Sequence, residues 1–168
     1  MADTRTLKGL DDVLDKLRSL PPEIASKNGG PVKASLRKGG VVIQKAMKAN
    51  IQRVTRDTEA EGFTSTRVLE NAVVVRRDSN PQRAGANERY RVLIARGRKY
   101  GDRKNKNGKP VTAVMTGRWL EGGSEKQPAE PWATPAYFSA REEALSTVEK
   151  DLAAGVEKAI RKVAKGKG

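Results

Sequence analysis

Cysteine and histidine are both absent from the 168 residues of this chain. Without cysteine there is no disulfide and no thiolate-held metal. Without histidine the commonest general base and the commonest metal ligand are missing as well. Aromatic residues are scarce at 4% and hydrophobic residues reach only 36%, so the core must be modest and mostly aliphatic. A chain of this length makes one domain. A core this lean leaves little surplus apolar area, which invites a partner surface. No apolar run approaches the roughly 18 residues that span a bilayer. The opening residues MADTRTLKGL lack the apolar segment of a signal peptide. The expectation is a soluble protein made in a cytoplasm, with no membrane contact.

What the chain has in abundance is positive charge: 34 Lys and Arg against 20 Asp and Glu, a formal net charge of +14. Such a balance attracts polyanions, of which nucleic acid is the commonest, although a heavily charged soluble surface is the plain alternative. Catalysis would have to come from carboxylates, lysine, serine or an oxygen-ligated metal. The acids fall on helix faces, and no Asp-x-Asp-x-Asp-Gly metal loop exists. Gly9, Gly39-Gly40 and Gly122-Gly123 match neither a phosphate loop nor a dinucleotide fingerprint. Glu121 alone sits in an apolar and glycine-rich setting. A hydrolase built on it is one reading, and a helix-end or interface carboxylate is the preferred one. No catalytic residue, cofactor or metal is expected.

Along the chain, Leu7, Leu10, Val13, Leu14, Leu17 and Leu20 recur at helical spacing, with Asp11, Asp12 and Asp15 between them. This is an amphipathic helix of about three turns, stopped by Pro21-Pro22, whose apolar face must pack against something. Residues 22–30 are ambiguous and end in Asn28-Gly29-Gly30. A longer helix runs from Pro31 to about Ile51, with Val32, Leu36, Ile43, Met47 and Ile51 on one face. The remainder carries Lys33, Arg37, Lys38, Lys45 and Lys48. Gly39-Gly40 inside it costs about 1 kcal/mol per glycine relative to alanine, which is tolerable where another backbone comes close.

Gln52–Ser65 is polar and aperiodic and reads as a loop. Val68, Leu69, Val73, Val74 and Val75, ending in Arg76-Arg77, read as a strand. Asp78–Asn87 carries turn residues, and Arg89–Arg96 alternates at Tyr90, Val92 and Ile94 like a half-buried strand. From Arg96 through Lys109, seven of fourteen residues are Lys or Arg against one acid, Asp102. With the Asn107-Gly108 turn inside it and an extended pattern resuming at Val111–Thr116, this window reads as a long basic hairpin loop between two strands. Tyr100 is too isolated to make a stacking platform for bases.

The last helix begins between Pro135 and Ser139. Ser139 and Glu142 fit a capping box. Leu145, Val148, Leu152, Val156, Ile160 and Val163 form its stripe over about seven turns, before a basic tail. The domain thus divides into a helical part (1–52), a β-region (66–117) with its basic loop (96–110), a proline-rich strap (118–138) and a C-terminal helix (139–165). Pro128, Pro131 and Pro135 stiffen the strap. Trp132 and Tyr137 supply anchors of the type enriched in interfaces, or simply fill the core.

Trp119-Leu120-Glu121-Gly122-Gly123-Ser124, followed by Pro128-Ala129-Glu130-Pro131-Trp132-Ala133-Thr134-Pro135-Ala136 and a long final helix, resembles the HK97 gp10-like family of tailed-phage head–tail joining proteins. The family's opening leucine helix after a Gly-Leu is matched by Leu7-Lys8-Gly9-Leu10, and its longer Ala/Val helix by Leu36–Asn50. The family's aromatic-Gly-Thr is Gly122-Gly123-Ser124 here. Its Pro-x-x-Thr-Gly-x-Leu is reduced to Thr64–Leu69.

The resemblance implies an α+β fold, with N-terminal helices and a long C-terminal helix packed on a small antiparallel sheet. It implies a structural subunit of a homo-oligomeric ring, hexameric by analogy with tail symmetry, at the head–tail junction of the virion. Other neck and tail proteins would be its partners. Arg96, Arg98, Lys99, Arg103, Lys104, Lys106 and Lys109 would then face packaged DNA or a neighbouring ring. Trp119, Leu120, Glu121, Pro128, Pro131, Trp132, Pro135 and Tyr137 would form the assembly interface. The alternative is a freestanding basic nucleic-acid-binding protein.

Overall fold

Proline at position 31 starts the first long helix, where its missing N–H costs nothing. A computed structural model describes residues 30–60, 66–125 and 127–165, and for residues 55–60 and 163 the backbone alone. The leucine stripe of residues 7–20, the segment 22–29 and the last three residues lie outside the described residues.

Helix α1 spans Pro31–Ala60. The expected loop from Gln52 is therefore helical as far as Ala60. No glycine or proline interrupts residues 52–60, so a helix already nucleated propagates through them despite their polarity. Helix α2, Val68–Ala72, replaces the start of the expected strand. Its two buried residues, Leu69 and Ala72, are three apart and share one helical face. Strand β1, Val73–Arg77, follows directly. It pairs antiparallel with β2, Tyr90–Ile94, in the register Val73↔Ile94, Val75↔Val92 and Arg77↔Tyr90. A short 3-10 turn, Pro81–Ala84, lies between the two strands.

The long basic loop is not what forms. Strand β3, Lys99–Lys104, occupies most of that window and pairs with β4, Pro110–Thr112, across a register shift. Alternation of cations is no obstacle here, because an isolated two-stranded ribbon exposes both faces. Val111–Thr116 does not stay extended either. Thr112 caps helix α3, Ala113–Gly122, by accepting a 3.4 Å hydrogen bond from the Met115 amide. Helix α4 then runs Ala133–Lys165, starting before the expected boundary. Ser139 lies inside it and donates to the Ala136 carbonyl at 3.1 Å, so it is not a cap.

The fold is α+β, with helices packed on a small antiparallel β part. Helices α1 and α4 run antiparallel: Pro31 lies against Gly155, Gly39 against Ala144 and Val148, and Asn50 reaches Trp132. The β1–β2 ribbon packs across α1, where Gly40 meets Val75 and the Gln44 amide donates to the Val73 carbonyl at 2.7 Å. Helices α2 and α3 close the other side, enclosing a core of Ile51, Leu69, Ala72, Val73, Ala113 and Trp132.

The seam between α1 and α4 is made of small residues. Ser35 and Gly39 on α1 are buried, as are Ala136, Ala140 and Ala144 on α4, with Leu152 and Val156 further along. The buried stripe thus differs from the expected one, since Leu145 and Ile160 are exposed. Ser35 donates within its own helix, to the Pro31 carbonyl at 2.6 Å, so its hydroxyl can be buried without needing α4. A β-carbon at Gly39 would overlap Val148 and lie 3.1 Å from the Ala144 carbonyl oxygen. Gly39→Leu is therefore expected to destabilise the fold by about 1–3 kcal/mol, read as a lower urea midpoint. An unchanged midpoint would show that the helices do not approach this closely.

Candidate functional site

Two features carry the residues singled out by the sequence: the β3–β4 hairpin and the connection from α3 to α4. The hairpin turn is held by Asn105. Its side-chain oxygen accepts from the Asn107 and Lys109 amides at 3.0 and 2.9 Å, while its own amide donates to the Lys109 carbonyl at 2.8 Å. Such a local side-chain–backbone network fixes a turn without a core. Arg96, Arg98, Lys99, Arg103, Lys104, Lys106 and Lys109 are all exposed on or beside this ribbon. None of the seven forms an ion pair with an acid among the described residues.

Tyr100 is not among the free groups. It is half-buried, and hydrogen bonds join it to the Thr116 hydroxyl and the Leu69 backbone. Burial raises its pKa despite those hydrogen bonds and the nearby Arg103. Its place is structural: it pins the hairpin to α2 and α3. Some cations elsewhere do have acidic partners. Arg77 makes two hydrogen bonds to Glu88, at 2.8 and 2.6 Å, and Lys33 adds a contact at 3.6 Å. The Arg77 hydrogen bonds, working against a small desolvation, hold the Glu88 carboxyl below its usual range. Arg76 and Arg91 face each other across β1–β2, with Asp78 offsetting Arg91 at 3.5 Å.

The connection from α3 to α4 is organised by Glu121. Its carboxylate accepts from the backbone amides of Trp132, Ala133 and Thr134 at 2.9, 2.7 and 2.9 Å. These are orphan donors at the start of α4, so the side chain of one helix caps the next across eleven residues of sequence. Burial works against its charge. The Thr134 side chain and the Ala133, Thr134 and Trp132 amides outweigh that, holding the carboxyl below the ordinary glutamate range. The helix dipole acts in the same direction. Glu121 is thus a helix-end carboxylate.

Between these ends, Gly123 has φ +77 and its α-carbon passes so close to the Ala129 amide that a β-carbon would lie at 3.0 Å. Glycine is required there on both counts. Ser124 and Gln127 form an isolated bridge, and the Glu130 amide donates to the Leu120 carbonyl at 2.7 Å. Trp132 is 4% exposed and donates its indole N–H to the Gly117 carbonyl at 2.9 Å. It belongs to the core and not to a surface.

Of the other residues expected at an assembly interface, Leu120 packs against that core. Pro128, Pro131 and Pro135 are exposed, as are Trp119 and Tyr137. Tyr137 stacks edge-on against Phe138, which is 59% exposed and lies beneath the Arg141 guanidinium. Phe138 was not singled out by the sequence, and its place beside Tyr137 in the strap was the available signal. Asn50 and Gln44 were also missed. Both are polar residues at helical spacing from Met47 and Ile51, and each donates from α1 to a distant backbone carbonyl, Trp132 at 3.1 Å and Val73 at 2.7 Å.

Among the described residues no cluster of three or more Asp and Glu is placed to hold a metal ion, and no helix is long and apolar enough to cross a membrane. No family model, no curated protein and no solved structure matches the chain.

Because the folded Glu121 carboxyl titrates below its unfolded value, its contribution is fully present above the usual carboxylate range and fades as the pH falls through the folded value. Glu121→Gln is expected to lower stability at about pH 7 by roughly 0.5–2 kcal/mol, the range for a lost helix cap. The deficit should shrink as the pH falls below the ordinary glutamate range. Urea unfolding of both proteins across this range checks it. A pH-independent deficit would assign the loss to packing.

Proposed function

We propose that this chain is a structural subunit of a tailed-phage neck, forming a homo-oligomeric ring that joins or completes the tail at the DNA-filled head. The observation that carries the reading is the row of seven exposed cations on one hairpin, without acidic partners among the described residues. A ribbon of this kind contacts a polyanion through charge alone, which suits passage of DNA of any sequence. The acidic face of an adjacent ring would satisfy the same charges. The motif from Trp119 to Ala136 supports the family resemblance, and the Glu121 cap gives that motif a physical role. It sets the direction in which α4 leaves the strap.

In this reading Trp119, Tyr137 and Phe138 supply apolar anchors at the surface of the strap, of the type enriched in interfaces. No step of chemistry is assigned to any residue. The work of the protein is geometric, the protein acts without a cofactor, and its place is the virion.

A freestanding nucleic-acid-binding protein would use the same hairpin, and the two readings part on assembly. The ring reading expects cyclic particles by negative-stain imaging of purified protein, alone or on tails. The freestanding reading expects monomers that bind duplex. Exchanging Arg98, Lys99, Arg103, Lys104 and Lys106 for Glu is expected to preserve the fold, since all five are exposed. It should abolish tail joining or DNA retention, and lower the slope of log affinity for duplex against log salt by about four to five, at ~0.9 per phosphate contact. Virions that join tails and retain DNA normally would remove the hairpin from the function.

A further inference from the structure

A groove of about 830 Å³ opens between α1, β2 and α4, lined among others by Leu36, Ile43, Met47, Val92, Leu145 and Val148. Its floor is aliphatic, and Leu145 and Tyr137 at its margin are 39% and 48% exposed. Among the described lining residues, polar side-chain groups are confined to Tyr90, Tyr137, Arg141 and Glu142. A chain with so few apolar residues leaves an aliphatic trough of this size open only where something covers it.

We infer that the leucine-rich segment Leu7–Leu20 of the same chain is the occupant, laid along the groove as an amphipathic helix. Three lengths agree. On α1 the groove runs from Leu36 to Met47, eleven residues or about 17 Å at the helical rise of 1.5 Å per residue. The stripe from Leu7 to Leu20 covers thirteen steps, or about 20 Å on the same rise. The ten residues between Leu20 and Pro31 reach at most about 33 Å. The far end of the groove at Met47 lies only about 24 Å along α1 from Pro31, by the helical rise.

The linker also carries Pro21-Pro22 and Asn28-Gly29-Gly30, breakers suited to a chain reversal before α1. Charge does not decide the docking: Arg141 at the margin of the groove is already paired with Glu142 at 3.2 Å, so the assignment rests on the apolar match and the lengths. A second copy of the chain could present the same stripe, but only the tethered copy has it at millimolar effective concentration.

The absence of cysteine makes the test clean, because every introduced thiol is unique. In the full chain, Leu14→Cys is combined with Leu145→Cys, and separately with Ile43→Cys. Leu14→Cys with Glu143→Cys, an exposed α4 residue outside the groove, is the control. On mild oxidation of dilute protein, or treatment with a short bis-maleimide where disulfide geometry is unfavourable, both groove pairs should link within one chain, several-fold more than the control. Mass spectrometry of the intact protein reads the link, and circular dichroism verifies that each variant is folded. Disulfide-linked dimers from the groove pairs would place a second copy there and overturn the assignment. Linking no greater than the control would leave the segment elsewhere and overturn it equally. A Leu10→Ser, Leu14→Ser, Leu17→Ser variant keeps the question open to a second measurement. It should bind an apolar dye several-fold more strongly than the parent, and equal binding would refute the docking.

Discussion

A single carboxylate placed against three backbone amides decides how this molecule is put together. Glu121 ends one helix and begins another, and the three hydrogen bonds it accepts are the ones that α4 cannot make for itself. With that end fixed, Trp132 enters the core with its indole N–H on the Gly117 carbonyl, and its own carbonyl receives the Asn50 amide from α1. Three helices thereby meet at one tryptophan. The small-residue seam between α1 and α4 depends on the same alignment, since Gly39 tolerates Ala144 and Val148 only in one register.

The lean composition explains why polar contacts hold these joints. A core of aliphatic residues and one tryptophan gives adhesion without direction, because burial of apolar area does not depend on orientation. Direction comes instead from Gln44, Asn50 and Glu121, each aimed at backbone groups of a different element. The exposed cations of the β3–β4 ribbon stand apart from this network, linked to the body through Tyr100 and the helices it touches. Body and charged ribbon can therefore vary independently, because substitutions on the ribbon leave the polar joints of the body untouched.

Much of the architecture was legible in the residues. The apolar period of α1, the alternation of β2, the turn between β1 and β2 and the long final helix all appear where local pattern and tertiary demand agree. The misreadings have physical causes. Residues 52–60 carry no apolar stripe, yet an established helix continues through them because nothing breaks it. Val68 and Leu69 are as common in strands as in helices, and only the burial of Leu69 with Ala72 decides between them. The expected capping box at Ser139 failed because the true cap lies eighteen residues upstream, on another helix. No local rule reaches that far. Of the candidate sites, the cations could be found from composition alone, whereas the burial of Trp132 could not: an anchor for a partner and an anchor for the core have the same sequence signature.

The strap also has a mechanical side. Glu121 and Trp132 are joined directly through the amide–carboxylate contact, with the Glu130–Leu120 hydrogen bond beside it, and again through the ten residues that loop between them. A pull separating α3 from α4 loads the short connection first. The carboxylate clasp, the indole contact and the Glu130–Leu120 hydrogen bond bear it together, while the chain they bridge stays slack. Once they release, that loop can pay out to about 33 Å before the backbone itself is taut. The arrangement is a non-covalent clasp guarding hidden length: its opening frees chain without a covalent bond being strained.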